Sequence, residues 1–433
     1  MTPSRGLTGI FGKDIVCPDF AGHEGGNEVR RRHFIENMAM GAMAAISRPG
    51  LRGKSSLGPD KNHVFGYWDP RIDVDLENVL WNYGQIKKRI KVPVMAVVKA
   101  NAYGHGLVEV SRALEAAGVA WLMVGKLQEA VALRSAGVKC PILNFGPFEE
   151  RDCCEIISRD ISQSVYTEDV RFLDAAAAHL NKKASIHVDV DTGMGRTGVL
   201  SKQALPFIES LSKLSRVKID GVCTTLTEDL DFDGEQLREF LNVCTAAEEK
   251  GISLGLRHAA SSDGLFHPPE FHLDMVRPGI MLYGYYPNAQ TQKEDRWMLK
   301  PALKLSARVL FIKELNPGES LSYLRAFKAA HNMRVATVGI GYSDGYAPEL
   351  GGKAFVSIKN EKYPVLAAVT SNHIMVDLKN NPGVQIGDEV TLIDSKKDSG
   401  LTADVVADWG GISDYKLLIG LNALLPRTFS KPR

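Results

Sequence analysis

The chain's 433 residues predict an α/β architecture, a (β/α)8 TIM-like barrel followed by a C-terminal β-rich domain. Two observations carry this. Strand-like runs alternate with helix-like segments over residues 77–297, and from about residue 298 the texture changes to short β-rich runs divided by turn signals. A third observation weighs against the other parallel-sheet solution, an open doubly wound sheet: no Gly-x-Gly-x-x-Gly turn follows the first strand.

Residues 1–60 form a leader rich in Gly, Arg and Pro without sustained periodicity. Within it, at about 28–47, Arg30-Arg31-Arg32-His33-Phe34-Ile35 precedes the weakly apolar stretch Met38–Ile46 with its small residues. Paired arginines, an aromatic and a mild apolar segment predict a twin-arginine signal and export to the periplasm. The competing reading is a short basic amphipathic helix or disordered arm on a cytoplasmic protein. Alternation in Arg71–Leu76 predicts an early strand, at about 70–76, that joins the second domain.

The barrel is expected over 77–297. Its strands are expected at Val92–Val98, Val119–Val124, Pro141–Phe145, Gln163–Tyr166, Ala184–Val190, Val217–Cys223, Gly255–His258 and Met275–Leu282. Helical periodicity marks Gly106–Ala117, Lys126–Ala136, Glu168–His179 and Gly234–Lys250 between them. In the β domain, 298–433, runs at Lys304–Glu314, Arg334–Ile340, Lys353–Ile358, Lys362–Ala368, Ile374–Asp377 and Glu389–Ile393 are separated by turns such as Asn316-Pro317-Gly318.

A net charge of +1 gives no reason to expect a nucleic-acid partner. No apolar run reaches the roughly 18 residues of a membrane span. The six cysteines lack paired spacing, and no His, Asp, Glu and Cys grouping has metal-ligand spacing, so neither a disulfide framework nor a metal site is expected.

Functional groups of a barrel gather at the C-terminal ends of its strands. Lys99 stands at the end of an apolar run and opens Lys99-Ala100-Asn101-Ala102-Tyr103-Gly104-His105-Gly106. Burying an ammonium costs several kcal/mol unless it is paired or neutralised. A lysine at this place either snorkels or gives up its charge by forming a Schiff base. Asp191–Arg196 follows the fifth strand, His258–Ser262 the seventh, and Arg277-Pro278-Gly279-Ile280 lies in the eighth.

These words, with Ile340-Gly341-Tyr342-Ser343-Asp344-Gly345-Tyr346, stand in the order of the alanine racemase family, which the chain resembles from about Trp68 to Phe429. The resemblance implies a barrel carrying pyridoxal 5'-phosphate and a β domain that supplies residues to a partner's site. It implies that Lys99 is the Schiff-base lysine and one of two catalytic bases, and that Tyr323 is the opposing base. A lysine and a tyrosine on opposite faces suit racemisation, which removes a proton from one face of Cα and returns it on the other.

By the same resemblance Arg277 faces the pyridine nitrogen, and Tyr103, Ser262 and the backbone N–H groups of Gly279 and Ile280 hold the phosphate. Arg196 serves the cofactor's phenolic oxygen and the substrate carboxylate, and Tyr342 and Ser371 line the substrate side. The chain also departs from the family. Thr225 stands where a ring-stacking His is usual, Ser261 replaces an Asn, and Leu324 replaces the Gly after the tyrosine. Asp189 stands at a sometimes carbamylated lysine and is expected to hold Arg196. The position of the family's C-terminal phosphate-contacting tyrosine falls near Ala423, so that contact is expected to be missing.

The implied activity is pyridoxal-phosphate-dependent amino-acid racemisation, with alanine the default substrate and a head-to-tail homodimer sharing its sites. A racemase of broader specificity is one alternative, and a pyridoxal-phosphate-binding protein with little turnover is another.

Overall fold

The computed structural model describes residues 66–430 apart from 295, 296 and 380. The leader and its twin-arginine segment lie outside the described residues.

Strand β1 (Arg71–Val74) comes first, followed by the helix Leu76–Arg89, whose N-terminus Asp75 caps by accepting from Asn78 N at 3.2 Å. The barrel strands are β2 (Met95–Val97), β3 (Trp121–Val124), β4 (Ile142–Asn144), β5 (Ser162–Val165), β6 (Ala184–Asp191), the short β7 (Val199–Leu200), β8 (Val217–Cys223) and β9 (Leu256–His258). They run parallel in the order β2-β3-β4-β5-β6-β8-β9, with β7 beside β6. Strands β2, β4 and β5 are buried at every position, covered on both faces, and the polar Asn144 and Gln163 among them pair, Nδ2 donating to Oε1 at 2.8 Å.

The eighth expected strand, Met275–Leu282, does not form as such. Val276 makes one parallel bridge to Val94, Met95 N donates to Val276 O at 2.8 Å, and Val97 N donates to Pro278 O at 3.0 Å. On the other side Asp274 N donates to Arg257 O and Arg277 N to Ala260 O. The ring thus closes through an irregular segment. Pro278 has no N–H for a ladder, and the chain turns at once into the 3-10 turn Ile280–Tyr283.

Helices form near the expected places, at Leu107–Ala116, Leu127–Ser135, Val170–His179 and Leu230–Glu249. The last starts before Gly234 because Asp229 caps it, accepting from Phe232 N. A further helix, Ser201–Leu211, carries Pro206 inside it.

The second sheet holds β10 (Leu303–Leu315), β13 (Met333–Val338), β14 (Phe355–Ile358), β15 (Glu361–Leu366), β16 (Ile374–Asp377), β17 (Glu389–Ile393) and β18 (Arg427–Phe429), with β11 (Ser320–Leu321) and β12 (Phe327–Lys328) forming a separate hairpin. Its order is β13-β16-β15-β14-β17-β10-β1-β18, and β10 also pairs β13, so six strands close on themselves. Register shifts along the 13-residue β10 let it serve both neighbours. Early strand β1 pairs antiparallel with β10 and parallel with β18. Two helices absent from the β-rich expectation, Ala403–Gly410 and Asp414–Gly420, follow β17; a left-handed Gly411 ends the first and Ser413 caps the second, accepting from Lys416 N.

Candidate active site

Immediately after β2 the backbone reverses hand. Ala100, Asn101, Ala102 and Tyr103 have φ of 53°, 56°, 52° and 51°. A left-handed turn costs about 1–2 kcal/mol per L-residue, so neighbours must hold it. Asn101 N donates to Glu129 Oε1 at 3.0 Å, while Asn101 Oδ1 accepts from Leu107 N at 2.8 Å. The same Glu129 accepts from Gly125 N through Oε2, at 3.1 Å. Arg427, from β18, donates to Gly104 O at 2.9 Å and ties the turn to the chain's C-terminal strand. A Cβ on Gly104 would fall 2.3 Å from Leu418 O, so only glycine allows this approach.

Lys99 opens the turn at the edge of a cavity of about 510 Å³ at the strand ends. Tyr103, Arg196, Ser262, Arg277 and Gly279 line the same cavity, and Ile280 lies fully buried behind it. Burial first, then the charges of Arg196 and Arg277, push the Lys99 pKa down against the opposing pull of Glu129. A lysine so placed is a better amine nucleophile and base at neutral pH than an exposed one.

One end of the cavity is a set of donors. Ser262 Oγ accepts from Gly279 N at 2.9 Å and from Met281 N at 3.5 Å. Ile280 begins the 3-10 turn, so its N–H has no acceptor within that turn. A Cβ on Gly279 would fall 2.4 Å from the Tyr103 hydroxyl, so the backbone can approach that hydroxyl only because no side chain intervenes. Tyr103 stacks on Tyr283 with centroids 4.9 Å apart.

At the other end, the buried Arg277 turns its terminal nitrogens inward. Nη1 meets His258 Nδ1 at 2.6 Å and donates to His258 O at 2.9 Å; Nη2 donates to Thr224 O at 2.8 Å and Ala259 O at 3.1 Å. Among the described residues its Nε–H has no partner, and Arg277 lines the cavity. Arg196 is exposed, on a loop held by Asp191 Oδ1 accepting from Gly193 N and Gly195 N.

Several expectations need correction. Asp189 does not hold Arg196. Its Oδ2 accepts from Thr197 Oγ1 at 3.0 Å, and among the described residues Arg196 has no ion-pair partner. Burial raises the Asp189 pKa, against the opposing pull of the Thr197 hydroxyl and of the Arg277 and Arg196 charges. The expected loss of a C-terminal tyrosine at Ala423 also fails: Tyr415 lines the cavity with its ring centroid 5.9 Å from that of Tyr103, and Ala423 merely offers its carbonyl to Arg427. Thr225 and Ser261, read from the sequence as standing where a His and an Asn are usual, both line the cavity.

Sequence reading missed Tyr415, Phe145 and Glu228, all of which line the cavity. The tyrosine follows a Ser-Asp helix start that could have been recognised; Glu228 sits at φ 68° in a loop that gave no signal. That loop is anchored by Asp233, which accepts from Thr227 N and Oγ1 and from His267 Nε2.

Tyr323, expected as the opposing base, and Tyr342 and Ser371, expected on the substrate side, do not line this cavity. Tyr323 is 78% exposed at the tip of the β11–β12 hairpin. Tyr342 is 53% exposed on a 3-10 turn whose N–H groups, with those of Ser343, bond to Thr370 O and Ser371 O. Ser371 is half-buried in that same contact.

Two family models match this chain, the alanine racemase N-terminal domain over residues 74–287 and the alanine racemase C-terminal domain over residues 302–429. Alanine racemase 1 of Clostridium acetobutylicum is 35% identical over 376 residues, covering 85% of this chain and 96% of the relative. The crystal structure of the alanine racemase from a D-cycloserine-producing Streptomyces lavendulae superposes with a TM-score of 0.81 at 27% identity, over 84% of this chain and 98% of its own. That of Bartonella henselae, with covalently bound pyridoxal phosphate, gives 0.73 at 25% identity, over 84% and 99%. With both family domains matched in order and the same two-part fold, the chain belongs to the alanine racemase family.

Proposed function

We propose that this protein interconverts L- and D-alanine with pyridoxal 5'-phosphate, as a head-to-tail homodimer in which Tyr323 of each chain serves the other's cavity. The observation that carries the reading is Lys99, its amine pKa lowered, beside two arginines in a cavity whose far end is built of N–H and O–H donors.

That donor set fits the cofactor. A phosphate takes several donors at once, and Gly279 N, Ile280 N, Ser262, Tyr103 and Tyr415 converge at one end without a fixed cation. When bound, pyridoxal phosphate supplies an electron sink that makes the substrate Cα–H acidic. Arg277, a permanent donor, would face the pyridine nitrogen and hold it unprotonated, which would limit that sink and favour racemisation over transamination. Arg196, exposed at the mouth and without an ion-pair partner among the described residues, is placed to orient the substrate carboxylate.

Lys99 removes or returns the Cα proton from the cavity floor. Tyr323 does so from the opposite face. Its exposure supports a role in trans, since a base that stays in water gains no help from a dry site. In this reading the division of labour falls near residue 298: the barrel, 77–297, holds the cofactor, and the β domain, 298–433, supplies the second base to a partner. Export through the segment at 28–47 belongs to the same proposal. Fractionation of cells making wild-type and Arg31→Lys, Arg32→Lys chains tests it, and equal periplasmic amounts would remove it.

The direct test is incubation with L-alanine and a panel of other L-amino acids in D2O, with pyridoxal phosphate, followed by chiral chromatography. D-alanine carrying deuterium at Cα, absent in Lys99→Ala, is the expected result. A loaded protein that exchanges no substrate proton would overturn the assignment, and a preference for another amino acid would replace alanine.

A further inference from the structure

Arg277 does not end the chain of polar contacts that starts at the cavity. Behind it, His258 Nε2 lies 2.8 Å from His187 Nδ1, so three side chains run in line from the cavity into the barrel interior. All are buried, His187 and His258 completely. Burial holds both imidazoles neutral, that of His187 down to about 4 and that of His258 well below its usual value.

The protons along this line follow from chemistry. A guanidinium only donates, so His258 Nδ1 must accept from Arg277. A neutral ring carries one proton, so that of His258 sits on Nε2 and points to His187. His187 Nδ1 must then accept, which puts its own proton on Nε2. That last N–H is buried and has no partner among the described residues. An unpaired buried donor is costly, and a second feature shows that the arrangement is built for the ring. A Cβ on Gly221 would fall 2.3 Å from His187 Nδ1, so β8 clears its side chain to admit the ring there. Trp121 closes the other side, its ring centroid 5.1 Å from that of His187 at 72°.

We infer that His187 is a positioning residue: by accepting from the buried His258 Nε2–H it stabilises the tautomer that Arg277 requires, and so holds the orientation in which Arg277 meets the cofactor. The alternative tautomer of His258 would set an N–H against the Arg277 N–H, and the guanidinium would lose its contact to the ring. The role of Arg277 at the pyridine nitrogen rests on the function proposed above; the proton order behind it does not.

The test compares His187→Asn, whose side-chain oxygen can accept near the Nδ1 position, with His187→Leu and His187→Gln, which offer no acceptor there. In unloaded protein labelled with 15N-histidine, the His258 shifts should report a protonated Nε2 in wild type and His187→Asn, and a mixture or the other tautomer in His187→Gln and His187→Leu. In protein loaded with pyridoxal phosphate, the acceptor-free variants should shift the cofactor absorption band and weaken its binding about tenfold, the scale of one hydrogen bond to a charged group. His187→Asn should restore both. Because Asn and Gln are both polar and His187→Gln retains the amide, the comparison survives if His187→Leu fails to fold. Identical His258 shifts, absorption and affinity in the Asn and Gln variants would overturn the inference and leave His187 as core filling. The labelled spectra are read without substrate or cofactor, so a failure of the racemase assignment would not be mistaken for a failure here.

Discussion

The barrel end and the hairpin β11–β12 handle their functional side chains in opposite ways. At the barrel end each group is braced: Arg277 spends four contacts on ring and carbonyl acceptors, Ser262 gathers two backbone donors, and the turn after Lys99 is tied down by Glu129 and Arg427. At the hairpin tip Tyr323 stands in solvent, flanked by Ser322 at φ 65°, Leu324 at 55° and Arg325 at 54°, with Leu324 fully exposed. Both places use left-handed backbone, but only one is covered. In the proposed dimer, this bare apolar tip beside the second base would be covered by the partner.

The sharpest way to break this contrast is Lys99→Ala, expected to lower racemisation by about four orders of magnitude, since it removes both a base and the covalent anchor. Circular dichroism should stay native. Next is Tyr323→Phe, with a loss of about two to four orders of magnitude while cofactor absorption is kept. Mixing Lys99→Ala and Tyr323→Phe chains should restore on the order of a quarter of wild-type turnover, because random pairing yields dimers with one intact shared site. Failure to restore any activity, in chains shown to exchange subunits, would place both bases in one chain.

Smaller is Tyr415→Phe, which removes one donor from the phosphate end and should weaken cofactor binding about tenfold by equilibrium dialysis. An unchanged affinity would leave Tyr415 as packing against Tyr103. The smallest effect concerns acid stability. His105 and His187 are buried and held down to about 4, whereas unfolded histidines titrate near 6.5. Between those values the unfolded chain binds more protons, so this contribution to stability is complete above about 6.5 and is lost as pH falls toward 4. Thermal melts should show the midpoint falling over that window, and less steeply in His105→Gln.

The two regions were also unequally legible. Barrel strands announce themselves as short apolar runs, and the motif words at their ends placed Lys99, Tyr103, Arg196, Ser262, Arg277 and Gly279 around one cavity. The eighth strand misled because Met275–Leu282 reads as apolar β while Pro278 withholds the N–H a ladder needs. Tyr415 was missed because the β-rich texture of the second domain hid two short helices whose caps, Thr402 and Ser413, are the only local signal. The Asp189 expectation failed for a different reason: charge complementarity suggested a pair with Arg196, but the hydroxyl of the next residue, Thr197, took the carboxylate. The handed turn at 100–103 was invisible, since only its flanking Gly104 advertises positive φ.

That turn has a stereochemical corollary. A φ near +55° is the ordinary range of a D-residue, so Ala100 occupies a conformation its mirror image would adopt at ease. Protein assembled chemically with D-alanine at position 100 should melt higher than the natural chain. A catalyst proposed to exchange the two hands of alanine thus keeps, beside its lysine, a length of its own main chain wound in the opposite hand.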